Sequence, residues 1–182
     1  PIAACCSANV NRMARKKSSN DSSAEARRQP MREFSRSLPM SLLRAREAVM
    51  RQFRPSLRNH GLTEQQWRIL RALSAVETIE VTELARMAFL LGPSLSRILR
   101  DLEGRQLVER RTDEADQRRA VVSISARGLK LIEAVAPTSE AIYAEITRRF
   151  GARRLSELQE MLGVLEQSLA EMEGAESDAE GE

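Results

Sequence analysis

Cysteine is nearly absent from this chain of 182 residues, and the two it has, Cys5 and Cys6, stand side by side near the amino terminus. Adjacent thiols in a tail build neither a disulfide framework nor a metal cluster with each other. Histidine is rarer still, with His60 the single one. No nucleophile–base set, phosphate-cradling loop or metal-ligand cluster can be assembled from what remains, so neither an enzyme nor a metal or cofactor site is expected. Aromatic residues are 3% of the chain, with one Trp and one Tyr. No apolar run is long enough to span a bilayer, and the amino terminus lacks the apolar core of a signal peptide. The expected location is the cytoplasm, with no membrane partner. The chain opens with Pro1 rather than Met, and Met13 or Met31 precedes the first good helical pattern. Part of residues 1–30 is therefore suspected to be a gene-start artefact.

Charge is plentiful, at 30% of residues, and uneven. Residues 1–35 carry seven Lys or Arg against three acids, and residues 171–182 carry six acids and no base. Since these ends contribute +4 and −6 to a total of +3, the body between them holds +5. A basic body favours a polyanionic partner, nucleic acid before membrane, although a solvated surface would account for the same charges.

Order is expected from about Leu38. In "LPMSLLRAREAVMRQFRPSLRNHG", Leu42, Val49, Phe53 and Leu57 recur at helical spacing, which predicts an amphipathic helix ending at Gly61. Pro55 is expected to kink it or to end one segment, because it removes a hydrogen-bond donor. Arg46 lies on the apolar stripe, either snorkelling at an interface or facing a buried anion. A second helix starts at "LTEQQW", where Thr63 and Gln66 form a capping box and Leu62 can staple onto Trp67. A short third helix is expected after Thr82, and a fourth at Gly92-Pro93 with the stripe Leu95, Ile98, Leu99 and Leu102. Two strand-like runs follow, "LVERR" and "AVVSIS", and then a long helical stretch with a kink expected at Pro137. In the last helix Leu155, Leu158, Leu162, Leu165, Leu169 and Met172 form a heptad seam, a pattern that pairs with another helix.

Two short helices, the second with small polar residues at its front, followed by a two-stranded hairpin, make a winged helix-turn-helix. The fold class expected is mainly α with a small β-hairpin wing. A helix entering the major groove meets base edges at its amino-terminal end, where Ser94, Ser96 and Arg97 stand. Arg97 suits bidentate pairing with guanine, and Arg100, one turn later, suits a phosphate. The loop of the hairpin, "TDEADQRR", places Asp116 two residues from Arg118, close enough for the carboxylate to orient a guanidinium in a narrow minor groove. Arg110, Arg111 and Arg119 flank that probe, while Val122 and Ile124 form the packing arm. On the helix alone, ordinary exposed residues around a core stripe would be the better explanation; the hairpin shifts the balance towards DNA.

The stretch "VTELARMAFLLGPSLSRILRDLEGRQLVERRTDEADQRRAVVSISARG" resembles the DNA-binding core of the MarR family of bacterial regulators, over roughly residues 81–128. The resemblance rests on "ELA", "SLSRILRDLE", "LVERR", the Asp116-x-Arg118 wing and "SISARG". Gln106 stands where the family usually has Gly, which leaves the backbone shape of that turn open. Over about residues 37–150, "LLRAREAVMRQFRPSL", "LTEQQWRILRAL" and "DQRRA" are similar to the HpaR-type subgroup, regulators of homoprotocatechuate and hydroxyphenylacetate degradation. The resemblance implies a nucleoid-associated bacterial homodimer, intertwined through terminal helices, that binds a palindromic operator in double-stranded DNA. The division it implies is a disordered basic tail at 1–36, dimerisation helices at 37–62 and 126–173, a winged helix-turn-helix at 63–125 and a disordered acidic tail at 174–182.

The same resemblance implies a repressor of an aromatic-acid catabolic operon, released by a small aromatic carboxylate such as 4-hydroxyphenylacetate. Trp67 and Arg71 lie four residues apart on one helix face, where an indole and a guanidinium suit an aryl carboxylate. A Leu62–Trp67 staple and an Arg71 salt bridge within a dimer explain the same residues. Subgroup pocket positions correspond to Ser37, Trp67, Arg71 and Tyr143, with Glu64 nearby and Arg46 a further candidate. Pro39 stands where subgroup members can have Asn, so one polar contact is missing. Two alternatives remain at this point: a regulator of the same fold that responds to another ligand or senses oxidants through Cys5 or Cys6, and, more remotely, an enzyme acting on aromatic acids.

Overall fold

A computed structural model describes residues 33–112 and 120–179. The expectations for Cys5, Cys6 and the basic tail, and for the wing-tip residues Asp116, Arg118 and Arg119, fall outside these. By its contacts the chain divides into two compact units, Pro1–Glu47 and Ala48–Glu182. In the first, a 3-10 turn at Phe34–Arg36 leads into helix α1, Leu38–Asn59. Ser37 closes the turn by donating from Oγ to the Phe34 carbonyl at 2.9 Å.

The second unit takes up the rest of α1 and continues through α2 (Glu64–Leu73), β1 (Ile79–Glu80), α3 (Val81–Met87), α4 (Gly92–Gly104), β2 (Val108–Thr112), β3 (Ala120–Ile124), α5 (Ala126–Phe150) and α6 (Ala152–Ala179). The capping box opens α2 as its sequence predicts. The Gln66 amide donates to Thr63 Oγ1 at 3.2 Å, and Gln66 Oε1 accepts from the Thr63 amide at 2.8 Å. Such a cap satisfies two otherwise orphaned donors and contributes about 1 kcal/mol. The core is leucine-rich: Leu70, Leu73, Leu84, Leu95, Leu99 and Leu102 are wholly buried together with Val122. Each such side chain contributes roughly 1.5–3 kcal/mol by leaving water. Leu62 belongs to this core and Trp67 is half-buried against it.

Four expectations are corrected or narrowed. The wing is not a two-stranded hairpin alone, because β1 adds to the free edge of β3 to give an antiparallel sheet of order β1-β3-β2, with Ile79 opposite Val122 and Arg111 opposite Val121. Pro55 lies inside α1 and does not end it, which leaves the kink of its two expected outcomes; Pro137 likewise lies inside α5. One missing donor costs a helix about 3 kcal/mol, and each proline sits between buried neighbours that offset it, Phe53 and Leu57 in one case, Val135 and Ser139 in the other. The third helix begins at Val81, before Thr82, whose hydroxyl turns back to Glu80 Oε1 at 2.9 Å. Helix α1 ends at Asn59, and the chain reverses through Gly61 at φ +65°.

The turn after α4 is also decided. Gln106 adopts φ +59°, the left-handed conformation for which glycine is the usual residue. Its amide still closes the helix end on the Glu103 carbonyl at 2.8 Å. Its carbonyl accepts from Ser125 Oγ at 2.7 Å, and Ser125 in turn caps α5 by accepting from the Gly128 amide at 3.0 Å. Helix α6 stands apart: none of its described side chains is buried, and Leu158, Leu162, Leu169 and Met172 of the heptad seam are exposed.

Candidate nucleic-acid interface and effector site

Helices α3 and α4 are joined by a tight, well-tied turn. The Leu90 amide donates to the Ala85 carbonyl at 2.9 Å, Phe89 sits at φ +49°, and Arg68 reaches across from α2 to donate to the Ala88 carbonyl at 2.7 Å. With Leu95, Leu99 and Leu102 sunk into the core, the opposite face of α4 turns outward. Ser94, Arg97 and Arg100 are exposed there and Ser96 is half-buried. On β2, Arg110 is exposed, and Arg111 is paired with Glu109 at 2.9 Å. An exposed helix end with hydroxyls and a guanidinium, flanked by strand arginines, can meet base edges and phosphates together.

The predicted effector residues are brought together in part. On α2 the Arg71 guanidinium carbon stands 6.0 Å from the centre of the Trp67 ring, a cation–π arrangement at the limit of its range. Glu64, one turn earlier, is engaged by two arginines: Arg54 of α1 at 3.1 Å and Arg68 at 3.6 Å. Tyr143 of α5 is half exposed and stacks on Phe53 with ring centroids 5.0 Å apart and tilted by 57°. Ser37 and Arg46 belong to the first unit, where Ser37 holds its turn and Arg46 pairs with Glu47 at 3.1 Å. A separate groove of about 480 Å³ runs between α1 and α5, lined by Val49, Gln52, Ile142, Glu145 and Phe150 among others, and none of the six predicted effector residues lines it.

Sequence reasoning missed three residues that tie these regions together. Gln66, read only as a cap, also donates from Nε2 to Asp101 Oδ2 of α4 at 2.7 Å. Arg68 joins Glu64 to the α3–α4 turn, and its spacing of four from Glu64 was a usable signal. Arg54 comes from another helix, and no local pattern marks it. Among the described residues no group of three His, Cys, Asp or Glu is placed to hold a metal, and no helix is long and apolar enough to cross a membrane.

The MarR family model matches residues 60–119, from just after α1 to just before β3. The chain is 37% identical over 136 residues to the HTH-type transcriptional regulator FarR of Neisseria gonorrhoeae, covering 75% of this chain and 93% of that one. It is 39% identical over 126 residues to the homoprotocatechuate degradative operon repressor of Escherichia coli, covering 69% and 85%. Among solved structures, NadR in complex with 4-hydroxyphenylacetate superposes with a TM-score of 0.66 at 37% identity, over 75% of this chain and 97% of that one.

Proposed function

The chain belongs to the MarR family of DNA-binding transcriptional regulators, and from that premise we propose a homodimeric, cytoplasmic repressor that a small aromatic carboxylate such as 4-hydroxyphenylacetate releases from a palindromic operator. In the DNA-bound state α4 lies in the major groove, with Ser94, Ser96 and Arg97 at base edges and Arg100 and Arg110 on phosphates. Arg118, oriented by Asp116, probes the adjacent minor groove, and Arg119 binds the backbone beside it. Two half-sites about one helical turn apart, ~34–36 Å, match a two-fold dimer. The seam of α6 and the terminal helices supply the pairing surface.

The observation that carries the effector reading is the Trp67–Arg71 pair on α2. A ring seated on the indole leaves its carboxylate within reach of the Arg71 fork. Glu64 and Tyr143 of the same unit complete the set that recognises it, and Ser37 and Arg46 are candidates on the family resemblance alone. The same helix is bonded to α4 through Gln66 and Asp101 and to the α3–α4 turn through Arg68. A ligand on one face of α2 therefore acts on the helix that reads DNA without touching it, provided that it binds the two states unequally. The relation of two of the relatives to aromatic acids, by name or by bound ligand, points to the same class of effector. The protein binds this acid without turning it over.

The test is operator binding measured with and without 4-hydroxyphenylacetate, at two salt concentrations. The expected result is affinity that falls steeply with salt and is weakened further by the acid in wild type but not in Arg71→Ala. Equal release from the Arg71→Ala variant would remove the pocket, and salt-independent binding would remove the phosphate contacts.

A further inference from the structure

Three large apolar side chains around the entry to α4 are turned to solvent: Met87 is 47%, Phe89 79% and Leu91 78% exposed. Single exposed leucines are ordinary, but three such residues within one turn form a patch. The sequence around them is equally unusual for so charged a chain, since no residue from Met87 to Ser96 carries a charge, while Arg86 and Arg97 bracket the run. Local chemistry is also set aside here. Phe89 occupies the left-handed region at φ +49°, which a bulky side chain disfavours. Leu91 holds the N-cap of α4, where Ser, Thr, Asp or Asn would bond the helix end and Leu makes no such bond.

The patch cannot fold back onto the core. Ala88 is wholly buried, Leu90 is half-buried against the core, and Arg68 grips the Ala88 carbonyl. Phe89 and Leu91 are thereby held outward on either side of an anchored Leu90. They adjoin the end of α4 that carries Ser94 and Arg97, so the patch is continuous with the face that meets base edges. In the major groove one base edge offers an apolar group, the 5-methyl of thymine.

We propose that Phe89 and Leu91 are specificity-determining residues that pack on thymine 5-methyl groups in each operator half-site, with Met87 shielding the contact from water. This rests on the reading that α4 enters the major groove. Arg86 and Arg97 stand at the two ends of the neutral run, where phosphates or guanine flank the thymines.

The test uses the full chain and a duplex that the wild-type protein selects from a random library. Each thymine is replaced in turn by deoxyuridine, which lacks the 5-methyl alone. At one or two positions per half-site, wild type is expected to bind about fourfold more weakly, the worth of one buried methyl at ~0.8 kcal/mol. Leu91→Ala should lose that sensitivity at one position. Phe89→Asn, whose new side chain tolerates the left-handed backbone and so preserves the turn, should lose it at another. Wild-type binding indifferent to every deoxyuridine, or variants as sensitive as wild type, would overturn the proposal. So would variants with unchanged affinity for DNA and an altered oligomeric mass, which would assign the patch to protein contact. If the wild type selects no duplex at all, the DNA-binding reading falls and this proposal with it.

Discussion

The winged-helix core and helix α6 are built from similar residues to opposite ends. In the core, α2 and α4 bury their leucines completely, α2 opens on a capping box, and the two bond to one another through Gln66 and Asp101. Helix α6 has leucines at comparable spacing, meets α5 at its start, and leaves Leu158, Leu162 and Leu169 exposed. A helix of 28 residues with no buried side chain among those described draws little stability from its own chain. The core thus has its packing partners within one chain, whereas α6 is patterned for a partner outside it. The division matches the proposed function: one region holds a fixed reading surface, and the other makes that surface two-fold.

The sharpest way to break this comparison is to charge the seam. Leu162→Glu combined with Leu169→Glu is expected to halve the mass seen by sedimentation and to lower operator affinity by ~10²–10⁴, the advantage that two linked half-site contacts confer. The circular dichroism melt of the core should change far less. A double variant that stays dimeric would mean that α6 does not pair through this seam.

The next largest effect lies inside the core. A Cβ on Gly128 would stand 2.2 Å from the Leu107 carbonyl oxygen and 2.7 Å from Ile124 Cγ1, so α5 can lie against the sheet here only with glycine. Gly128→Ala is expected to cost ~1–3 kcal/mol in denaturant unfolding, as overpacked sites do, and to leave the mass of the dimer unchanged. An unaltered unfolding midpoint would show that this junction yields easily.

Gln66 sharpens the comparison with a smaller effect. Gln66→Ala removes its side-chain bonds to the Thr63 amide and to Asp101, an expected loss of about 1–2 kcal/mol. Gln66→Glu keeps an acceptor for the capping box but sets a carboxylate against Asp101. If unfolding falls equally in both variants, the bond to α4 is what counts. If Gln66→Glu is spared, the cap is.

Much of the fold could be read because its signals were local. Thr63 and Gln66 announce a helix start within four residues, and the alternation around Val122 and Ile124 announces a strand. β1 was missed because two residues cannot show alternation, and what makes Ile79 and Glu80 a strand is the open edge of β3. Pro55 could be read as a helix end because helix rules count a lost hydrogen bond and take no account of the buried neighbours that offset it. Gln106 shows the reverse: a departure from a glycine position signalled doubt about the turn, and the turn keeps its left-handed shape with a side chain in place. The side chain accepts from Arg127 at 3.2 Å, a contact glycine could not make. For the site, the Trp67–Arg71 pairing followed from spacing on one helix. The arginines around Glu64 did not, because Arg54 arrives from α1, and such contacts between helices leave no trace in sequence order.

The smallest expected effect concerns how the exposed side of the molecule is held where core burial is missing. At the end of α5, Glu145 bonds Arg148 and Arg149, and these hydrogen bonds, that from Arg148 first, lower its carboxyl pKa from 4.5 to about 2. The same contact raises the pKa of Arg148. A carboxylate with a depressed folded pKa adds stability at and above its ordinary pKa, and that share fades as pH falls toward the folded value. Glu145 lies at the surface, so solvent and salt screen the contribution to a small one. Melting curves of wild type and Glu145→Gln are therefore expected to differ slightly near neutral pH and to converge between about pH 4.5 and about 2. Raising the salt should narrow the gap at neutral pH. Curves that stay parallel through that window would show that the helix end owes nothing to this carboxylate, and that α5 reaches its last turn on packing alone.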